Sequence, residues 1–209
     1  MIGVEMVVVL GLAAGLIGVL DTIPYVRDTL RGSTRPHRGT WLIWGVLAVV
    51  VSLSQYADGA SWSLVIAGVQ AVLTGVVFGL SIRRGEGGVS RADITMIAIA
   101  GAGVTGWIVA DEPIVATACV VAADLIGAGL MVPKTYRDPD SETLITFAFA
   151  SLGGALAAGA VGAIDVSLLL YPVYYCVING AIALLIWERR LTRAGAGAPR
   201  APASLRPAG

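Results

Sequence analysis

The chain has 209 residues, of which 56% are hydrophobic and 13% are charged, and its mean hydropathy is +0.82. Soluble domains carry about 25% charged residues, so this composition excludes an ordinary soluble globular protein. The formal net charge is zero, and it argues neither for nor against an acidic partner.

Seven apolar windows, each of a length typical of helices that cross a bilayer, follow one another along the chain. They are 2–20, 40–54, 62–82, 92–110, 114–132, 143–163 and 166–187. The first window has no basic segment before it and contains Glu5, which favours a retained first helix over a cleaved signal peptide. The sequence therefore predicts an all-α polytopic membrane protein with seven transmembrane helices.

The charges are divided between the two sides of this predicted bundle. All 14 lysine and arginine residues fall in four segments, 25–39, 83–91, 133–142 and the tail from 188. The other side has no cation and carries Asp58, Asp111, Glu112 and Asp165. Short loops rich in Lys and Arg stay in the cytoplasm, so we predict an external N-terminus and a cytoplasmic C-terminus. The abundance of Ala, Gly and Arg beside a single lysine is typical of a GC-rich bacterial genome, which indicates the plasma (inner) membrane.

An internal repeat relates the two halves of the chain. With an offset of 109, residues 14–24 match residues 123–133 at five of eleven positions: Ala, Leu, Ile, Gly and the final Pro. The predicted units are a first three-helix repeat (1–84), a linker helix (85–113), a second three-helix repeat (114–190) and a disordered cytoplasmic tail (191–209). Because three crossings and one linker crossing restore the starting side, both repeats have the same orientation, a 3-1-3 arrangement of parallel repeats.

This order, with Pro24 and Pro133 near the inner end of the first helix of each half, resembles the SWEET/PQ-loop (MtN3/saliva) superfamily. The Pro-Gln pair of that family reads Pro24-Tyr25 and Pro133-Lys134 here, which is similar to a divergent bacterial PQ-loop-like branch. The resemblance covers residues 14–190 and implies a seven-helix bundle. In that family an asparagine on the third helix of a repeat contacts substrate, and Asn179 resembles it.

Asp124 is the most informative single residue. It lies about ten residues into the fifth window, which places it near the bilayer midplane. A carboxyl group there costs at least about 2.5–3.5 kcal/mol on insertion scales, so it is expected to face the bundle interior, a partner or a water-filled path. Either it couples protons or binds substrate, or it is a protonated group bonded to a neighbouring helix.

Two amides stand at the repeat offset, because Gln70 and Asn179 are 109 residues apart and each lies near the middle of a third helix. Transporter sites commonly lie at the midplane between repeats, and an amide both donates and accepts hydrogen bonds. Substrate binding and interhelical hydrogen bonding are both open for this pair.

Trp44 is deep enough for a stacking platform, and Tyr171, Tyr174 and Tyr175 either line an outer vestibule or pack.

Three further residues concern the helix ends. Pro24 and Pro133 are candidate hinges, or else they stop their helices and open charged loops. Asp21 is expected to pair with Arg27, to cap amides freed by Pro24, or to be an interfacial charge.

The leading hypothesis is a small-solute transporter that works by alternating access, with a small polar solute of sugar or amino acid type. Transport is proton-linked if Asp124 titrates during the cycle; otherwise the protein is a facilitator. The alternative is a non-transporting membrane receptor or scaffold, and a closed interior around Asn179 would favour it.

Enzyme activity is not expected, since the Gly-x-Ser-x-Gly and His-Glu-x-x-His motifs are absent. A retinal protein is excluded because Lys134, the only lysine, lies outside the seventh window. Cys119 and Cys176 are expected to be apolar fillers. No cofactor, metal or nucleic acid is predicted; the lipid bilayer is the expected environment, and a homo-oligomer is left open.

Overall fold

The computed structural model describes residues 4–57, 62–109 and 113–196, and within those ranges the chain is all-helical. Eight α-helices and one short 3₁₀ helix make up the described part of the chain. They are α1 (Val4–Leu20), α2 (Thr22–Arg31), α3 (Arg38–Ala57), α4 (Trp62–Arg84), α5 (Arg91–Val109), α6 (Pro113–Arg137), the 3₁₀ turn Pro139–Ser141, α7 (Leu144–Ala160) and α8 (Val166–Ala196). The predicted outer-face acids Asp58, Asp111 and Glu112, and residues 197–209, lie outside the described ranges.

Helix α1 has the composition of a helix that faces lipid. It has no buried residue, and large apolar side chains such as Leu12 and Leu16 are more than half exposed. Its only acidic residue, Glu5, stands in the first turn. A helix that is apolar all round is stable only when it is buried in protein or surrounded by lipid, so α1 is suited to a membrane.

Three segments within the described ranges are long and apolar enough to cross a membrane. They are Val4–Arg31, Thr117–Arg137 and Leu168–Ala194, while Arg38–Val50 and Leu144–Ala160 are apolar but shorter. The predicted count of seven spans is therefore not reproduced by length and hydropathy of the helices. One physical reason is that α7 has only 17 residues, where a spanning helix needs about 20.

Two sets of three helices pack side by side. Helix α7 lies between α1 and α8, and α3 lies between α4 and α6. Helix α6 also packs on α8, α4 contacts α1 and α2, and α5 lies against α6 and α3. Two buried apolar clusters hold this arrangement. One contains Tyr25, Trp41, Val77, Ala128, Met131, Phe147, Ile182 and Ile186. The other contains Ile43, Leu47, Ala100, Val104, Val120 and Ala123.

The prolines do not stop their helices, which corrects one of the sequence-based alternatives. The break between α1 and α2 falls at Asp21, and Pro24 is the third residue of α2, which continues to Arg31 and ends at Gly32 with φ of 79°. Pro133 lies inside α6, which continues to Arg137. A proline near a helix start removes a donor that is unpaired anyway, whereas Pro133 leaves the carbonyl of the preceding turn without its helical partner.

Three other boundaries also differ from the prediction. Residues 25–31, expected in a loop, form most of α2, and Lys134, also expected in a loop, belongs to α6. The predicted disordered tail begins inside a helix, since α8 extends to Ala196. Each segment is too polar to register as a span, yet each continues an apolar helix whose hydrogen bonding propagates at little cost.

The four basic segments contact one another at one end of the bundle. Arg38 donates to the carbonyl of Gly87, Arg84 donates to the carbonyl of Leu30, and Arg190 donates to the carbonyl of Glu142. Arg35 pairs with Asp138. These contacts connect the segments 25–39, 83–91, 133–142 and the end of α8.

Candidate functional site

A cavity of about 750 Å³ lies between α1, α3, α4, α6, α7 and α8. Its wall contains all four residues for which the sequence predicts substrate contact: Trp44, Gln70, Asp124 and Asn179. At one end it is lined by Ala160, Val161 and Leu168, where α7 is joined to α8. The cavity thus extends to the end of the bundle that lies away from the basic segments.

Both amide residues line this cavity, and their side-chain oxygens differ in accessibility. Asn179 is 6% exposed, and its amide nitrogen donates to the carbonyl of Tyr175 at 2.9 Å. Its side-chain oxygen accepts no hydrogen bond from the described residues. The Gln70 Oε1 atom is buried and likewise has no protein partner there. A buried acceptor without a donor costs about 1–3 kcal/mol, and this applies to Gln70 Oε1, which is closed to solvent. The Asn179 oxygen is the amide acceptor that suits a ligand or water in the cavity.

Asp124 is held from two neighbouring helices. The Tyr174 hydroxyl of α8 donates to Asp124 Oδ2 at 2.7 Å, and the indole nitrogen of Trp44 in α3 is 3.5 Å from the Asp124 carbonyl oxygen. The carboxyl group is 7% exposed and forms part of the cavity wall. The structure therefore contains the hydrogen bond to a neighbouring helix expected for a structural role, and it also places Asp124 beside the space where a ligand would lie. Gly15, at the position related to Asp124 by the repeat offset, lines the same cavity.

Asp21 is a cavity residue that the sequence reasoning did not assign to the site. It is 3% exposed, and its Oδ1 accepts from the Thr22 hydroxyl at 2.8 Å. Its expected partner, Arg27, pairs instead with Asp28, and Asp21 makes no side-chain cap on α2. Asp21 has helical dihedrals, and its amide donates to the Ile17 carbonyl at 2.8 Å. The sequence signal at this residue is its position three residues before Pro24.

Aromatic rings form much of the remaining wall. Trp44 meets Trp41 edge to face with centroids 5.3 Å apart, and Tyr171 stacks on Tyr175 at 5.9 Å. Trp41, Tyr171 and Tyr175 all line the cavity, whereas Tyr174 serves as the donor to Asp124. Two of the three tyrosines therefore line the cavity, and an outer vestibule stays a prediction.

An aromatic layer lies between the cavity and the basic end of the bundle. Tyr25 is fully buried, and its ring is 4.6 Å from that of Trp41 and 6.2 Å from that of Phe147. The indole nitrogen of Trp41 donates to the Tyr25 hydroxyl at 3.1 Å. We call Tyr25, Trp41 and Phe147 the aromatic floor.

A buried ion pair lies on the side of the aromatic floor that faces away from the cavity. The Tyr25 hydroxyl donates to Glu142 Oε2 at 2.7 Å, and the Lys134 ammonium pairs with Glu142 Oε1. Burial raises the pKa of the Glu142 carboxyl, and the neighbouring Lys134 charge acts in the opposite direction. Tyr25 and Lys134 are the residues that follow Pro24 and Pro133, so both repeat-related positions bind the same carboxylate. The two predicted hinges therefore flank the floor and lie outside the cavity wall.

The segments that follow α2 and α6 contact each other. The Thr34 and Thr143 hydroxyls are hydrogen-bonded at 2.6 Å, and they are 109 residues apart. The Arg35 amide donates to the Ser141 carbonyl at 2.9 Å beside them. Thr34 and Thr143 are each at least nine-tenths buried.

The chemistry of the cavity wall is acidic, amide and aromatic. Asp21 and Asp124 are its ionisable acids, and no lysine, arginine or histidine is among its described lining residues. Within the described ranges there is no cluster of three metal-binding side chains, and Cys119 and Cys176 are free. A comparison with protein-family models, with curated proteins and with solved structures finds no match to this chain.

Proposed function

We propose that the chain is a small-solute membrane transporter of the SWEET/PQ-loop type that works by alternating access around the cavity. The observation that carries this proposal is a single cavity lined by both repeat-related amides, Gln70 and Asn179, together with Asp124 and Trp44. Ligand sites in helical bundles are concave, largely apolar and provided with a few convergent polar groups. This cavity has all of those properties.

The packing of the helices supports two parallel repeats. In this assignment the first repeat is α1 and α2 as one span, then α3 and α4, and the second repeat is α6, α7 and α8. Exchanging the repeats converts the contact of α1 with α7 into that of α6 with α3, and the contact of α3 with α4 into that of α7 with α8. The contact of α4 with α1 and α2 becomes that of α8 with α6. Helix α5, the proposed linker span, packs outside this exchange.

The hydrogen bond between Thr34 and Thr143 supports the same relation. Two equivalent residues touch each other only where they lie on the axis that relates the halves. Because parallel repeats are related by an axis along the membrane normal, both segments belong on one side of the membrane. In an inverted repeat these two residues would lie on opposite sides.

The charges indicate which side this is. The basic segments that meet at the closed end of the bundle are those expected in the cytoplasm, so we assign the aromatic floor to the cytoplasmic side. The cavity then opens toward the outside, and the chain is in an outward-facing state. Inward opening requires separation of Tyr25 from Glu142 and of Thr34 from Thr143, with Pro24 and Pro133 as the adjoining hinges.

Solute entry into proteoliposomes tests this function even while the substrate is unidentified. Vesicles containing the full chain are shrunk with glucose, alanine or choline chloride, and their reswelling is followed by stopped-flow light scattering. We expect at least one solute to enter faster than into empty vesicles, and Asn179→Ala to slow that entry at least tenfold. Thr105→Ala is the control, because Thr105 also bonds a carbonyl of its own helix but is exposed on α5.

Two outcomes would contradict transport. One is entry at the rate of empty vesicles for every solute while the protein remains folded, which would favour a receptor or scaffold. The other is entry that is unaffected by Asn179→Ala, which would place the path elsewhere.

A further inference from the structure

The cavity contains two carboxyl groups that no cation of the described wall neutralises. Asp21 and Asp124 belong to its wall, and no lysine, arginine or histidine does so among the described lining residues. Elsewhere the buried carboxylate Glu142 has Lys134 as its ion partner, whereas Asp21 and Asp124 accept from the neutral hydroxyls of Thr22 and Tyr174. A buried carboxyl group that lacks a cation takes up a proton unless a positive charge comes to lie beside it, so the ionised form of these two groups favours an occupant that brings positive charge.

The hydrogen bonds leave part of each group free for that occupant. Thr22 occupies Asp21 Oδ1 and Tyr174 occupies Asp124 Oδ2, and in each case the other carboxyl oxygen has no donor among the described residues. Asn179, which is 6% exposed, adds an acceptor oxygen without a described donor. The cavity thus presents carboxyl and amide oxygens without described donors, which suit a ligand that donates or is cationic.

The aromatic wall provides a second interaction for the same charge. Trp44, Trp41, Tyr171 and Tyr175 border the cavity, and Tyr175 is near enough to both Asp21 and Asp124 to interact electrostatically with each. A ligand ammonium over the face of Trp or Tyr gains cation–π attraction, which is strongest where water is excluded. An anion would meet two carboxylates and no cation, and a neutral solute would leave both carboxylates unpaired.

We infer that the ligand of this cavity is a small organic ammonium cation, held by Asp124 and Asp21 and surrounded by the tryptophan and tyrosine rings. This inference rests on the proposed site and narrows its substrate class from polar solutes in general to amines and quaternary ammonium compounds. Within the cavity, the Asn179 oxygen accepts a hydrogen bond from the polar end of such a ligand.

Three probes of similar shape and different charge distinguish the effect of ligand charge on binding from the effect of ligand size. Choline, its neutral carbon isostere 3,3-dimethylbutan-1-ol and the anion 3,3-dimethylbutanoate are titrated into the purified full chain in detergent by isothermal calorimetry. We expect saturable choline binding at least tenfold tighter than that of the isostere, and no binding of the anion. Comparable affinity for choline and its isostere, tighter binding of the anion, or no saturable binding of choline to folded protein would overturn the inference.

Variants of the acids locate the site. Asp124→Asn and Asp21→Asn are each expected to weaken choline binding at least tenfold, with little effect on the isostere. Asp165→Asn is the matched control, because Asp165 is an exposed acid that caps the start of α8 and is not among the residues that line the cavity. If both cavity variants bind choline as the wild type does, the assignment of the ligand to this cavity is wrong. If a variant fails to fold, the three probes titrated into the wild type still decide the ligand class.

Failure of this inference is distinguishable from failure of the proposed function. Charge-selective binding without solute entry into vesicles would end the transporter proposal and leave the ligand class intact. Entry of glucose or alanine that depends on Asn179, without preference for choline over its isostere, would support the transporter proposal and end the inference about the ligand class.

Discussion

At the scale of single residues, His37 shows how a buried polar group is fixed outside the membrane spans. It is 5% exposed and precedes the first residue of α3, where its Nδ1 accepts from the Thr40 amide at 3.3 Å. A side chain at this position that accepts from the third helical amide is an N-cap. Burial lowers the pKa of His37 below 6.5, while Asp93 at 3.9 Å acts in the opposite direction.

The pH dependence of stability follows from that pKa. The folded chain binds its imidazole proton less readily than the unfolded chain, so the free energy of unfolding falls as the pH drops below about 6.5. We expect His37→Asn, which retains a capping oxygen, to remove this part of the pH dependence. The measurement is thermal unfolding by tryptophan fluorescence in detergent between about pH 8 and pH 5.5. Because His37 is the sole histidine, an identical pH profile in wild type and variant would contradict this role for the buried imidazole.

Residue type, depth within the apolar windows and repeat offset were enough to choose the four predicted site residues, and the structure places all of them in one cavity wall. Whether they contact substrate stays a prediction. Asp21 was not assigned to the site because its burial depends on how α1 and α2 pack against the other helices, which the sequence does not show. The same is true of Glu142, whose role depends on Lys134 being helical and on Tyr25 reaching it from α2.

At the scale of helices, Gly154 sets the distance between α7 and α8. A Cβ atom added there would lie 2.6 Å from the backbone nitrogen of Cys176 and 2.8 Å from its Cα. Backbone atoms cannot move aside as a flexible side chain can. Small residues at helix contacts are the means by which membrane helices approach closely.

We therefore expect Gly154→Ala to separate α7 from α8 and to lower stability by about 1–3 kcal/mol. Gly79→Ala is the matched control, because apart from its chain neighbours and the nearby backbone of its own helix no atom lies within 4 Å of its added Cβ. That change is expected to be neutral or to stabilise α4 by up to about 1 kcal/mol through helix propensity. Thermal unfolding in detergent measures both, and a wild-type melting temperature for Gly154→Ala would contradict the packing described.

Helix existence followed from hydropathy, whereas helix ends did not. Each apolar window corresponds to one helix, from α1 for window 2–20 to α8 for window 166–187. The window method gives no account of α2 or of the last turn of α6, because both are polar and are held by neighbours. Arg84 reaches the carbonyls at the end of α2, and Arg189 donates to the Tyr136 carbonyl near the end of α6.

At the scale of the whole molecule, the proposed mechanism depends on two similarly oriented helix triplets that enclose one cavity and close it at one end. Short matched segments of the sequence indicate an offset of 109, and the same offset separates the threonines that touch between the halves. The sequence could not reveal that contact, because it depends on how the halves pack. Composition and the one-sided cations suggested a membrane protein, and three described segments have the length and hydropathy to cross a bilayer.

The most direct test of this arrangement is a disulfide between the two halves. Thr34→Cys and Thr143→Cys are introduced together after Cys119 and Cys176 are replaced by alanine. Reswelling of proteoliposomes is then measured with the cysteine pair oxidised and with it reduced. Because the two hydroxyls are 2.6 Å apart, small side-chain movements suffice for a disulfide. We predict intramolecular crosslinking under oxidation, at least tenfold slower solute entry, and recovery on reduction, with Thr34→Cys alone as control. Absence of the crosslink in folded protein, or undiminished entry through crosslinked protein, would contradict the arrangement.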